Sequence, residues 1–273
     1  MRFKPNFYLP LKHIRDNKRD FTKGFTVIFL IEIILVVIFL LPANIKNYFI
    51  LNRFNPTLVS IYAMNFTHEN IIHLAGNLVV FTMISFYVLL LLSIMRKTNY
   101  FYKLLAINLL LIPVVLSLSW LYFQNNVIKS LMQNTLGFSG INASLSGSLI
   151  FIFFLYIVKV NKIELNLNYA FYSFLFFTVF YLCLIYFQYL KQLTPLIVTS
   201  ILSFSFYLLM IRSIKVLNKK LSKKWAIFLV SLSFVVIILF SNILFPVIIG
   251  NTDILIHYFG FILGIVVTFI LKI

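Results

Sequence analysis

The chain has 273 residues, 62% of them hydrophobic and 11% charged, and a formal net charge of +17. Its mean hydropathy of +1.03 excludes an ordinary soluble domain, whose apolar share runs at about 45 to 50%. A single cysteine, Cys183, excludes an internal disulfide and a cysteine-rich metal centre.

Residues 1–24 form a short basic leader that also carries His13. Residues 25–273 hold eight apolar stretches: 25–43, 70–95, 101–123, 139–158, 169–190, 194–211, 226–249 and 254–271. Each comes near the roughly 20 residues that cross a bilayer. The expected fold class is therefore all-α, a polytopic transmembrane helix bundle with about eight spans. The first stretch ends in Leu41-Pro42-Ala43 and faintly resembles a signal peptide, but it is long enough to be a retained span. It contains Glu32, an acid with no evident partner. The connection at 44–69 is the longest loop and carries Tyr48, Phe49, Ile50, Leu51 and Phe54, a composition suited to lying in the membrane interface. No internal repeat or low-complexity tract is evident.

The positions of the basic residues set the expected orientation. With the N-terminus in the cytoplasm and eight crossings, all the Lys and Arg except Lys46, Arg53, Lys129 and Lys191 fall in cytoplasmic segments, as the positive-inside rule requires. Both termini are then cytoplasmic, in what is expected to be a prokaryotic cell membrane. The run from Arg212 to Lys224 reads as an orientation signal against anionic headgroups, and no nucleic-acid partner is implied.

Polar groups inside a span are functional hypotheses by default. Three spans that run inward from the outer face open with polar clusters: Thr67 to Asn77, Gly137 to Gly140, and Asp253 to His257. At about 1.5 Å per residue, Ser139, His73 and His257 fall within roughly 10 Å of the outer ends of their helices. His73 and Asn77 stand four apart and so differ by only about 40° around a helix, whereas His68 belongs to the preceding loop or first turn. Gly260 and Gly264 follow His257 at helical spacing. Gly140, Ser144 and Ser148 follow Ser139, with Ala143 and Gly147 beside them. Small stripes of this kind let two helices pack closely in lipid and would bring a hydroxyl and an imidazole together. A serine becomes a nucleophile when a base takes its proton, and histidine is the usual base near pH 7. Ser139 opens a helix, whose free amides can hold an oxyanion, and His73 and Asn77 can add donors. Asp253 reads as a helix cap.

These residues also carry a resemblance. His68-x4-His73-x3-Asn77, Gly137-Phe138-Ser139-Gly140 and His257-x2-Gly260-x3-Gly264 are similar in order and spacing to the three motifs of rhomboid intramembrane serine proteases. The resemblance implies a rhomboid-like core with a Ser139–His257 catalytic dyad and no cofactor. It implies oxyanion stabilisation by His73 and Asn77, with His68 near the entrance for substrate or water. Gly137, Gly140, Gly260 and Gly264 would pack the site, and the partners would be transmembrane protein substrates cut near the outer face. The chain departs from the family pattern in having three spans between the serine and histidine helices instead of one. Ile256 replaces the alanine before the histidine, and Ala143 stands where a large aromatic is common. The Trp-Arg pair of the first external loop is missing, although Arg53 is present.

Three rivals stand against this reading. His68-Glu69 followed by His73 resembles a zinc motif, but two zinc-binding histidines on one helical face need a spacing of four, so no metal is expected. A transporter would place its polar site near the bilayer midplane. A catalytically inactive rhomboid-like protein that binds membrane clients is the closest alternative, although such relatives usually lose the serine or the histidine.

Overall fold

The computed structural model describes residues 18–128, 133–190, 193–218, 221–244 and 254–273. His13, Lys129, Lys191 and Asp253 lie outside them. The helices are α1 (Lys18–Phe39), α2 (Ala43–Asn47), α3 (Leu58–Ala63), α4 (Ile71–Ile94), α5 (Asn99–Leu110), α6 (Ile112–Phe123), α7 (Ser139–Val160), α8 (Leu167–Leu190), α9 (Leu193–Ser213), α10 (Lys223–Leu244) and α11 (Ile254–Ile270). Among the described residues, six helices are long and apolar enough to cross a membrane: α1, α4, the α5–α6 rod, α7, α8 and α9. The chain is a multi-pass, all-α bundle.

The serine-bearing helix α7 sits at the centre. Of its spanning window 67% is buried, against 11% for α9, which packs on α8 at the periphery. Helix α7 contacts α4 on one side and α11 on another, with α5, α6 and α10 completing its surround. The α7–α11 contact is backbone to backbone. A methyl group at Gly260 would strike the Gly140 carbonyl oxygen, one at Gly264 the Ser144 carbonyl oxygen, and one at Gly147 the Phe261 carbonyl oxygen. The pairs 140–260 and 144–264 advance together, so the two helices run parallel. Ser148 Oγ adds a bond across the seam by donating to the Gly264 carbonyl at 3.0 Å.

Helix α1 lies antiparallel on α4. Gly24 admits the Leu89 side chain, and further along α1 the Thr82 hydroxyl Oγ1 donates to the Glu32 carboxyl group. That bond supplies the partner for the acid in the first span.

The third apolar stretch is broken at Leu111 into α5 and α6. The cause is Pro113 at the start of α6, which has no N–H and cannot bond the carbonyl four residues back, at Leu109. Tyr62 of α3 donates its hydroxyl to that carbonyl at 2.9 Å. Asn65 follows with Nδ2 to Pro113 O and Ser117 Oγ, each at 3.2 Å. The loop at 44–69 is thereby fastened to the rod at its break.

Two short strand pairs tie loops together at opposite ends of the bundle. Strand β1 (Leu51–Asn52) pairs antiparallel with β2 (Asn134–Thr135), and β3 (Ile163–Glu164) with β4 (Lys215–Val216). At the end holding β3 and β4, Arg96, Lys162 and Lys272 take positive φ of 60°, 50° and 53° at the close of α4, α7 and α11. Arg96 and Lys97 return amides to the carbonyls of Ser93 and Leu92, closing the orphan acceptors of the last turn.

Candidate active site

The segment leading to Ser139 is positioned by the first loop. Arg53 N donates to Gln133 O at 2.9 Å, extending the β1–β2 pair, and Gly137 N donates to Met64 O at 2.9 Å. Phe138 is fully buried between Phe66 and Phe81, at ring separations of 5.9 and 5.3 Å. The chain is thus pinned on both sides of Gly137, whose φ of +127° belongs to a region that only glycine enters freely.

Ser139 is the first residue of α7, after Phe138 as the flanking cap. The amides of Ile141 and Asn142 both bond to the Phe138 carbonyl. Those of Ser139 and Gly140 have no acceptor among the described residues, as expected for a first helical turn. Ser139 itself is half-buried and lines a cavity.

Helix α4 begins at Asn70, whose Oδ1 accepts from His73 N at 2.9 Å, a side-chain cap of the usual kind. This fixes His73 in the first turn. A methyl group on Gly137 would stand 2.9 Å from His73 Cε1, 3.0 Å from its Nε2 and 3.9 Å from Ser139 Oγ. The imidazole and the hydroxyl therefore border the same bare α-carbon. Asn77 follows one turn below, buried, with Nδ2 donating to the His73 carbonyl at 3.2 Å.

His257 precedes Gly260 by one turn in α11. The Gly140–Gly260 contact sets it beside the start of α7. Ser139, His73, Asn77 and His257 all line one cavity of about 290 Å³, together with Ile72, Gly76, Val80, Asn142, Ala143 and Ser146. The cavity runs from Ser139 down to Ser146, about 10 Å along α7. Its flank on α4 is open: Ile72 is 82% exposed, and a methyl group on Gly76 would meet nothing within 4 Å.

His68 does not line this cavity. It is 2% exposed and meets the His73 ring edge-on at 5.2 Å. Neither of its ring nitrogens has a hydrogen-bond partner among the described residues. Burial, reinforced by the neighbouring His73, pushes its pKa down to about 4, against a weaker opposing effect from the Phe66 backbone.

Two apolar side chains, Ile256 and Ala143, shape the surround of Ser139 and His257. Ile256 is 7% exposed and covers Gly140, where a methyl group would sit 2.7 Å from its Cγ2. Ala143 lies under Gly260 on the floor of the cavity, so a large side chain there would fill it.

Sequence reasoning missed Asn142. Its Nδ2 donates to both the backbone and the side-chain oxygen of Asn77, at 3.0 and 3.1 Å, and Ser146 Oγ donates to the Asn142 carbonyl at 2.7 Å. A signal is present in the sequence, because an asparagine three residues after Ser139 in an apolar span is itself a polar outlier. Among the described residues, no group of three or more His, Cys, Asp or Glu forms a cluster able to hold a metal ion.

No family model matches the chain, and no curated protein or solved structure is significantly similar to it.

Proposed function

We propose that the chain is an intramembrane serine endopeptidase of the rhomboid type, with eight spans and both termini in the cytoplasm of a prokaryotic cell. The observation that carries the reading is the convergence of Ser139, His257, His73 and Asn77, from three separate helices, on one cavity. In the proposed reaction His257 takes the Ser139 proton as Oγ attacks the scissile carbonyl carbon. The oxyanion that forms is held by the Ser139 and Gly140 amides with His73 and Asn77. Collapse breaks the C–N bond as His257 returns the proton to the leaving amine, and water then releases the acyl group by the same steps.

The substrate class is the outer end of a transmembrane segment in another membrane protein. The open α4 flank supports this, since a helix in the bilayer can approach there without crossing the loops. No cofactor takes part in the scheme.

The test is cleavage of a model single-span substrate by detergent-purified protein. Native protein should cleave with or without a chelator, and Ser139→Ala and His257→Ala should lose at least about 10³-fold in rate, the range seen when a member of such a catalytic unit is removed. Activity retained in Ser139→Ala and abolished by the chelator would replace the serine mechanism with a metal one. Absence of cleavage over a broad substrate panel, with substrates still bound, would favour the inactive client-binding alternative.

A further inference from the structure

We propose that a second cavity, at the opposite end of the bundle, binds an anionic phospholipid, its phosphate held by Lys97 and Lys159 and one acyl chain lying against α7 and α8. This cavity has a volume of about 460 Å³ and lies where the ends of α4, α7 and β3 meet the start of α8. Lys159 is twenty residues along α7 from Ser139, about 30 Å away, so the two cavities share no wall.

The polar half of the site is two ammonium groups that border one cavity and repel each other. Lys159 Nζ donates to the Met95 carbonyl at 3.0 Å, and Lys97 Nζ to the Lys272 carbonyl at 3.4 Å. An ammonium carries three hydrogens, so each retains donors beyond these bonds. Among the described residues no carboxylate lies within ion-pair distance of either lysine, although Glu164 borders the same cavity. Burial and the neighbouring Lys159 charge hold Lys97 below the usual lysine range. Two like charges that repel each other and form no ion pair with Glu164 are stabilised by an anion placed between them. A phosphate has the charge and the oxygens to accept from both.

The other half favours a lipid over a free anion. Leu155, Val158, Leu165 and Leu167 line the same cavity with apolar surface, and Leu167 is 43% exposed. Inorganic phosphate leaves that surface bare, whereas a phospholipid covers it and satisfies the lysines at once. The site also sits at helix ends rich in Arg and Lys, where anionic headgroups gather.

The experiment needs no proteolytic activity, so its result is separate from that of the proposed function. Full-length protein in mild detergent is stripped of lipid and titrated with palmitoyl-oleoyl phosphatidylglycerol, with phosphatidylcholine of the same chains, or with inorganic phosphate. Bound lipid is counted by native mass spectrometry and its effect read by thermal melting. One phosphatidylglycerol should be retained in preference to phosphatidylcholine. Its affinity should fall about tenfold or more in Lys97→Gln/Lys159→Gln and stay unchanged in Lys23→Gln/Lys224→Gln, which alters net charge equally on exposed lysines outside the cavity. Should the cavity double variant fail to fold, Lys159→Gln alone, on an exposed residue, and Leu167→Trp, which fills the apolar wall, should each weaken phosphatidylglycerol binding. Equal retention of phosphatidylcholine, full binding by the cavity variants, or an equal loss in the control overturns the proposal. Protection by inorganic phosphate matching that of phosphatidylglycerol overturns the lipid assignment and leaves a simple anion site.

Discussion

Asn142 of α7 holds Asn77 of α4 by two bonds from one amide, at 3.0 Å to its backbone oxygen and 3.1 Å to its side-chain oxygen. The second bond fixes which way the Asn77 amide faces, with its Nδ2 turned to the His73 carbonyl. Asn142→Leu should lower kcat at least about tenfold with KM little changed, because the group it positions would act on the oxyanion and not on the bound substrate. It should also lower stability by about 1 to 3 kcal/mol, the penalty for stranding buried acceptors. Cleavage kinetics unaltered by Asn142→Leu would remove Asn77 from the mechanism.

Gly137, packed against His73, and Gly76, on the cavity wall, should respond oppositely to alanine. At Gly137 a methyl group meets His73 at 2.9 Å on a backbone with φ of +127°. Gly137→Ala should displace the imidazole, destabilise the fold by about 1 to 3 kcal/mol and abolish cleavage. Gly76→Ala meets nothing within 4 Å and should leave the melting temperature unchanged or slightly raised, since alanine favours helix by about 1 kcal/mol. Melting curves of the two variants side by side provide the check.

Tyr62 and Pro113 should be energetically coupled. Tyr62→Phe strands the Leu109 carbonyl that Pro113 leaves without a helical donor, at a cost of about 1 kcal/mol or more. In a Pro113→Ala background the helix can bond that carbonyl itself, and the same Tyr62→Phe change should cost much less. A double-mutant cycle by thermal or denaturant unfolding measures the difference. Additive effects of the two substitutions would show that the hydroxyl is not serving this carbonyl.

His68 should make the protein acid-sensitive. Its folded pKa of about 4 lies below the ordinary value near 6.5. As pH falls through that window the unfolded chain takes up a proton that the folded chain refuses. Stability contributed by the neutral ring is therefore full above about pH 6.5 and is lost toward pH 4, at up to about 1.4 kcal/mol per pH unit. His68→Phe keeps a ring against His73 and should flatten this part of the melting-temperature profile. An unchanged acid slope in the variant would assign the sensitivity to another group.

The bundle is legible in the sequence because hydropathy is a one-dimensional property. Within the described residues each apolar stretch is predominantly helix, and the small residues after Ser139 and His257 mark the α7–α11 seam, where side chains shorter than a methyl group are required. The break at Leu111 is also readable from Pro113, yet the stretch at 101–123 reads as one element because its composition is uniform. Long-range pairings are not legible. Nothing in the local sequence of Asn52 announces Asn134, and nothing around Glu32 announces Thr82, since both depend on which helices become neighbours. Asn142 escapes notice for another reason: the four-residue motif around Ser139 ends at Gly140, just short of it.

The basic residues at Arg96, Lys162 and Lys272 occupy left-handed turns that glycine would fill with about 1 kcal/mol less strain. A glycine would close the helix equally well but would carry no charge. Each of these positions therefore serves two demands at once: it ends a helix, and it anchors that terminus on one side of the bilayer, because a cation resists being drawn through hydrocarbon. Replacing all three by glycine would be expected to yield a folded bundle that melts higher and inserts with a less certain sense, an exchange of directional fidelity for thermal robustness.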